Sequence, residues 1–137
     1  MIKVTKRKVL AVKKKLMPLL SSKDKYSTTY KDIKKFFTIL NEGLFDNKLS
    51  PFNDIEIKEL KYQRCMGQVI QLDFKRKGTR VHKLEMDIKY DNKKDFLETL
   101  AHEMVHLYQF TQINDNGAHN KLFYSFKPKL KSVGLKL

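Results

Sequence analysis

A chain of 137 residues, 41% of them hydrophobic, has the material for one domain with a modest core and too little for two ordinary ones. Its single cysteine, Cys65, excludes an intrachain disulfide and a four-cysteine zinc ribbon, and points to a reducing, cytoplasmic setting. The net charge of +14 is concentrated at one end, where residues 1–35 carry 12 Lys or Arg against Asp24 and Asp32; DNA or another nucleic acid is the expected partner, because binding phosphates releases condensed counterions.

Between residues 5 and 17, Val9, Leu10, Val12, Leu16 and Met17 recur among lysines at loose helical spacing, which predicts a basic amphipathic helix that Pro18 interrupts. Lys13, Lys14 and Lys15 break the apolar run a signal peptide would need, and no run approaches membrane-spanning length. After the polar connector "SSKDKYSTT", Thr28 or Thr29 is placed to cap a second helix, whose Ile33, Phe36, Phe37, Leu40 and Leu44 face a core. In "FDNKLSPF" Asn47 tolerates left-handed backbone and Pro51 pushes Ser50 towards extended geometry, so that helix ends there. Segments 55–60, 66–72 and 83–88 alternate with period two and predict a small three-stranded antiparallel sheet. "KRKGTR", residues 75–80, reads as an exposed hairpin loop and a second phosphate-contact candidate.

"DNKKDFLETLAHEMVHLYQF" carries the clearest helix. Asp91 or Asn92 can cap it, Asp95 and Glu98 suit the positive end of its dipole, and Phe96, Leu97, Leu100, Met104, Val105 and Tyr108 form an apolar flank to about residue 110. A last helix begins near His119, uses Leu122, Phe123 and Phe126, and kinks or restarts at Pro128. The elements add up to an α+β fold: N-terminal helices, sheet, histidine-bearing helix and C-terminal helix. One domain over residues 1–137 is expected, with a basic N-terminal segment at 1–29 and the remainder at 30–137. A monomer is expected.

Side chains four apart on a helix point the same way, so His102 and His106 can share one metal ion. Glu103, about 100° further round, lies beside that point, where a carboxylate can take a proton from water without entering the coordination sphere. Catalytic zinc takes three protein ligands and an open position. The longer motif with a histidine six residues after the second fails, because Gln109 and Gln112 occupy its glycine and histidine positions, and no Glu follows Glu103. His119 is the preferred third ligand and Asp115 the alternative. Glu98 and Glu103 are read as lying opposite the most apolar flank, His82 as a surface or internally satisfied histidine, and Cys65 as half-buried and unreactive. Tyr108, Tyr124 and the backbone around Gly67 are unranked candidates for oxyanion stabilisation.

Several stretches are similar to one family in order and spacing: "FFTILNEGLFDNKLS", "CMGQV", "KKDFLETLAHEMVHLYQF", "GAHNKLF" and "KSVGLKL". From about residue 30 onward the chain resembles the SprT-like zinc metallopeptidases, the group that includes Spartan, and in compactness it looks like bacterial or phage members. That resemblance implies a small zincin-like domain with Zn2+ held by His102, His106 and His119, Glu103 as general base, and a peptide substrate. Asn120 stands where the family usually has glycine. With no zinc ribbon in the chain, nucleic-acid handling is expected from Lys and Arg at 3–35 and 75–80. The competing reading is a non-enzymatic nucleic-acid-binding protein with a structural or vestigial zinc site.

Overall fold

The computed structural model describes residues 2–60 and 65–137. Helix α1 spans Lys6–Leu20, capped by the Thr5 hydroxyl, which accepts from the Lys8 N–H at 3.3 Å. It continues through Pro18, one turn further than the sequence suggests. The proline removes one helical hydrogen bond, but Leu19 and Leu20 pack against the core and hold the final turn in place.

Strand β1 (Tyr26–Ser27) leads into α2 (Tyr30–Phe45), for which Thr29 rather than Thr28 is the cap. The helix ends where Asp46 and Asn47 take left-handed backbone, φ 50° and 60°, a conformation that Asn and Asp tolerate better than most residues. Asn41, buried in this helix, donates to the Leu49 carbonyl and accepts from the Leu49 N–H, which ties down the turn that follows.

The sheet corrects one expectation. Strands β2 (Asp54–Ile57), β3 (Gly67–Phe74) and β4 (Thr79–Met86) form it in the order β2-β4-β3, and β2 runs parallel to β4, with Ile55 opposite Leu84. The sheet is therefore mixed, with only the β3–β4 pair antiparallel. Alternating hydrophobicity identifies a strand without naming its neighbour. Nine residues separate β2 from β3, enough to carry β2 to the far side of β4 instead of closing a hairpin. Asn53 extends the β2 pairing through its N–H to the His82 carbonyl and through its side chain to the His82 N–H. The turn between β3 and β4 is confined to residues 75–78, with Gly78 at φ 61°. A second ladder joins β1 to β5 (Lys89–Tyr90).

Helix α3 (Lys93–Tyr108) is capped by Asn92 and passes into a π-helical turn at Gln109–Ile113. Short helices α4 (Lys121–Tyr124) and α5 (Lys127–Ser132) follow, so the chain restarts at Pro128, which sits in the first turn of α5. α2 packs on α1 and α3, and α3 on β3. Val12 and Leu16 of α1 join the same buried cluster as Leu40, Leu100, Met104 and Leu130, so the basic helix is built into the fold that carries the histidines. Its N-terminal approach lies on α5, where Lys129 Nζ donates to the Ile2 carbonyl at 3.0 Å.

Contact between α1 and α2 depends on Gly43. A Cβ there would stand 2.6 Å from Val12 Cγ2. Alanine should gain about 1 kcal/mol of helix propensity against a cost of roughly 1–3 kcal/mol for overpacking. Gly43→Ala is therefore expected to lower the urea midpoint; a raised midpoint would contradict this close approach.

Candidate metal centre

Helix α3 places His102 and His106 one turn apart, and the loop after the π-helical turn returns His119 to them. The Nε2 atom of His106 lies 3.2 Å from that of His102 and 3.2 Å from that of His119. One ligand nitrogen from each ring falls within 4.8 Å of the others, a cluster that could hold a metal ion. Tetrahedral coordination at the usual imidazole bond length of about 2.0–2.1 Å sets ligand nitrogens about 3.3 Å apart. The donor set therefore fits such an ion in type, and His106 stands at that spacing from both partners.

Protonation agrees with this. Burial first, and then the neighbouring His106 and His119, push His102 down to about 4; burial also lowers His106. Both rings are neutral near pH 7, the form that offers a lone pair. Phe123, 2% exposed, lies under all three imidazoles with ring centroids 4.9, 4.9 and 4.4 Å from His102, His106 and His119.

Asp115, the alternative third donor, is turned to another task. Its carboxylate accepts from the Gly117 N–H at 3.1 Å and from the Asn120 amide at 2.9 Å. The Asn120 bond comes first among the causes that hold its pKa below the ordinary carboxylate range. The Asn120 side chain also caps α4, accepting from the Phe123 N–H. Asn120 thus braces the loop that carries His119. Gly117, at φ 76°, lies so near Phe110 that a Cβ would stand 2.5 Å from its Cζ.

Glu103, read from the sequence as lying opposite the most apolar flank, is nevertheless buried. It is 5% exposed, has no hydrogen-bond partner among the described residues, and lines two adjoining cavities. One, of about 460 Å³, includes Gly67, Asp95, Glu98, Thr99 and Lys136; the other, of about 300 Å³, includes Gln68, Val69, Phe110 and the three clustered histidines. Gly67 lines both, and a Cβ on it would stand 2.9 Å from Thr99 Cγ2, so the start of β3 presses directly on α3. Of the oxyanion candidates, Tyr108 is removed by burial against Phe45 and Phe126. Tyr124 is half exposed, its ring 6.4 Å from that of His119.

The remaining sequence candidates are satisfied locally. His82 is buried, not on the surface; it bonds to Gln71 Oε1 at 2.9 Å and stacks on Phe110. Cys65 is half-buried, donates to the Gly67 carbonyl, and has its thiol pushed up mainly by burial. Two residues at the centre were not assigned a role from sequence. Gln109, fully buried, has Oε1 2.8 Å from His106 Nδ1; Phe123 is the floor. Their signals were helical spacing, three residues after His106 and four after His119.

Burial alone pushes the Glu103 carboxyl up to about 8 from an ordinary 4.5. The folded chain then holds a proton that the unfolded chain has lost. Stability from this source is full below about 4.5 and drains away as pH rises through 8, by a few kcal/mol at about 1.4 kcal/mol per pKa unit. His102 acts in the opposite sense, since its depressed pKa makes stability rise with pH between about 4 and 6.5, but it is common to wild type and variant. In chelator-treated protein, Glu103→Gln should therefore gain stability over wild type progressively from pH 5 to pH 9, read by urea midpoints. A constant difference would contradict a buried, unpaired carboxylate.

A scan against protein-family models matches the SprT-like family over residues 33–136. No curated protein and no solved structure matches the chain. The match covers α3, the returning loop and all three clustered histidines, and the family is generally associated with metallopeptidase-like function. With its model spanning most of the sequence, the chain belongs to the SprT-like family.

Proposed function

We propose that this protein is a zinc-dependent endopeptidase, with His102, His106 and His119 as metal ligands and Glu103 as general base. The observation that carries the reading is the convergence of three imidazoles, His106 Nε2 lying 3.2 Å from the Nε2 of both His102 and His119, beside a buried carboxylate with no hydrogen-bond partner among the described residues. Zinc held there supplies polarisation of the scissile carbonyl and a bound water acidified towards neutrality. Glu103 accepts the proton of the attacking water and delivers it to the leaving amine. Its raised pKa suits both roles, and the charge of a bound cation would draw that pKa back towards neutrality.

The substrate is proposed to be an extended polypeptide. β3 is an edge strand of the three-stranded sheet, and the two cavities beside Glu103 adjoin its first residues. A free strand edge recognises peptide through main-chain hydrogen bonds and is tolerant of sequence. A non-enzymatic protein with closed structural zinc fits less well, because such sites take four protein donors and the cluster offers three among the described residues. The zincin-like description of the fold belongs with this proposal, as does a reducing, cytoplasmic setting. No helix among the described residues is long and apolar enough to cross a membrane.

Nucleic acid is proposed as the partner that brings enzyme and substrate together. Lys8 pairs with Asp46, but Lys6, Arg7, Lys13, Lys14 and Lys15 on α1 make no ion pair among the described residues. Lys94, Lys127, Lys131 and Lys136 surround a further cavity of about 300 Å³, a basic group scattered in sequence that folding gathers. Lys136 also lines the larger cavity beside Glu103, and α5 lies against the start of the chain. In the 75–80 segment, Arg80 lies in β4 and is committed to Asp73 at 2.7 Å, which leaves Lys75, Arg76 and Lys77 of the turn for phosphate.

Two measurements test these readings. Glu103→Gln should lose turnover on an unfolded protein such as casein by roughly 10²–10⁴-fold while keeping zinc, and chelation should abolish wild-type cleavage; a Gln variant as fast as wild type refutes the general base. DNA should accelerate casein cleavage, with the stimulation falling steeply as salt rises. Equal rates with and without DNA would contradict the nucleic-acid assignment and leave the peptidase standing.

A further inference from the structure

We infer that Gln109 is a positioning residue that fixes the tautomer of His106 and docks the His119 loop against it, so that the metal site is set before an ion arrives. The inference rests on the metal assignment proposed above and adds the residue that organises it.

Gln109 is the first residue of the π-helical turn and is fully buried. Its side-chain Nε2 lies 2.8 Å from the Ala118 carbonyl and 3.3 Å from Asn120 Oδ1. A backbone carbonyl can only accept, so the nitrogen of the amide must face it. That orientation leaves Oε1, an acceptor, 2.8 Å from His106 Nδ1. His106 must then carry its hydrogen on Nδ1, and its Nε2 presents a lone pair to the point shared with His102 and His119. A ligating imidazole whose other nitrogen donates to a fixed acceptor is oriented and made more basic by it.

The same amide reaches the residues on either side of His119, Ala118 and Asn120. The Gln109 backbone carbonyl accepts from the Asp115 N–H at 2.8 Å, and Asp115 in turn accepts from the Asn120 amide. One residue therefore grips the returning loop at its start and at its end while holding His106 in register. The two ligand-bearing segments are joined through this contact as well as through an ion.

Nitrogen-resolved NMR of the metal-free intact chain reads the first half without any substitution: the His106 ring should be the Nδ1–H tautomer. Zinc titration against a competing chelator reads the second. Gln109→Ala should weaken zinc binding on the order of 10- to 100-fold and release His106 into mixed tautomers. Gln109→Glu keeps the acceptor for His106 and loses the donor to Ala118, so it should retain the Nδ1–H tautomer and lose less affinity than the alanine variant. A wild-type His106 protonated on Nε2, an alanine variant that binds zinc as tightly as wild type, or a glutamate variant no better than alanine each overturns the inference. Wild-type protein that takes up no zinc overturns the metal assignment itself, a distinct outcome read in the same titration.

Discussion

Three imidazoles between His102 and His119 must be kept facing one point, with His106 Nε2 3.2 Å from the Nε2 of each of the other two, and most of the surrounding structure bears on that constraint. Helical geometry supplies the first two imidazoles at no cost beyond forming α3. The third must be brought back by a loop, which needs its own anchors: Asp115 folds onto the Gly117 N–H, Asn120 braces Asp115 and caps α4, and Phe123 slides beneath all three rings. Close approach at Gly117, where Phe110 leaves no room for a side chain, fixes how tightly the loop can turn.

Burial here has opposite effects on neighbouring groups, and both suit the proposed chemistry. It keeps His102 and His106 neutral, hence able to donate electron pairs, and it raises Glu103, hence able to hold and release a proton near neutrality. A buried carboxylate with no partner among the described residues weakens the fold when it ionises. Such local conflict between stability and environment is the pattern expected of a working site rather than of a core.

Much of this was legible in the sequence because it depends on short-range periodicity. The spacing of His102 and His106 and the core face of α2 follow from the helical repeat, and residue type narrows the caps to Thr28 or Thr29 and to Asp91 or Asn92, of which the fold uses Thr29 and Asn92. His119 was reachable because few donors follow α3, with Asp115 excluded only once its bonds to Gly117 and Asn120 are seen. What depends on the path of a loop or on the choice of a partner was not legible. The parallel pairing of β2 with β4 is a decision about neighbours, and the Lys94, Lys127, Lys131 and Lys136 group exists only after folding. The burial of Glu103 was not legible either, because α3 is covered on more of its circumference than its apolar residues suggest; Gly67, lacking a side chain, lets β3 press onto that face. Gln109, read from sequence as the residue that breaks a longer motif, lies at the centre of the hydrogen bonds around His106.

X-ray absorption at the zinc edge of the metal-loaded chain tests the central claim most directly, since it reports donor type and distance without reference to turnover. A first shell of three imidazole nitrogens and one oxygen at about 2.0 Å, with no sulfur, is the predicted result. A shell with fewer than three imidazoles, or one closed by a fourth protein donor, would contradict it.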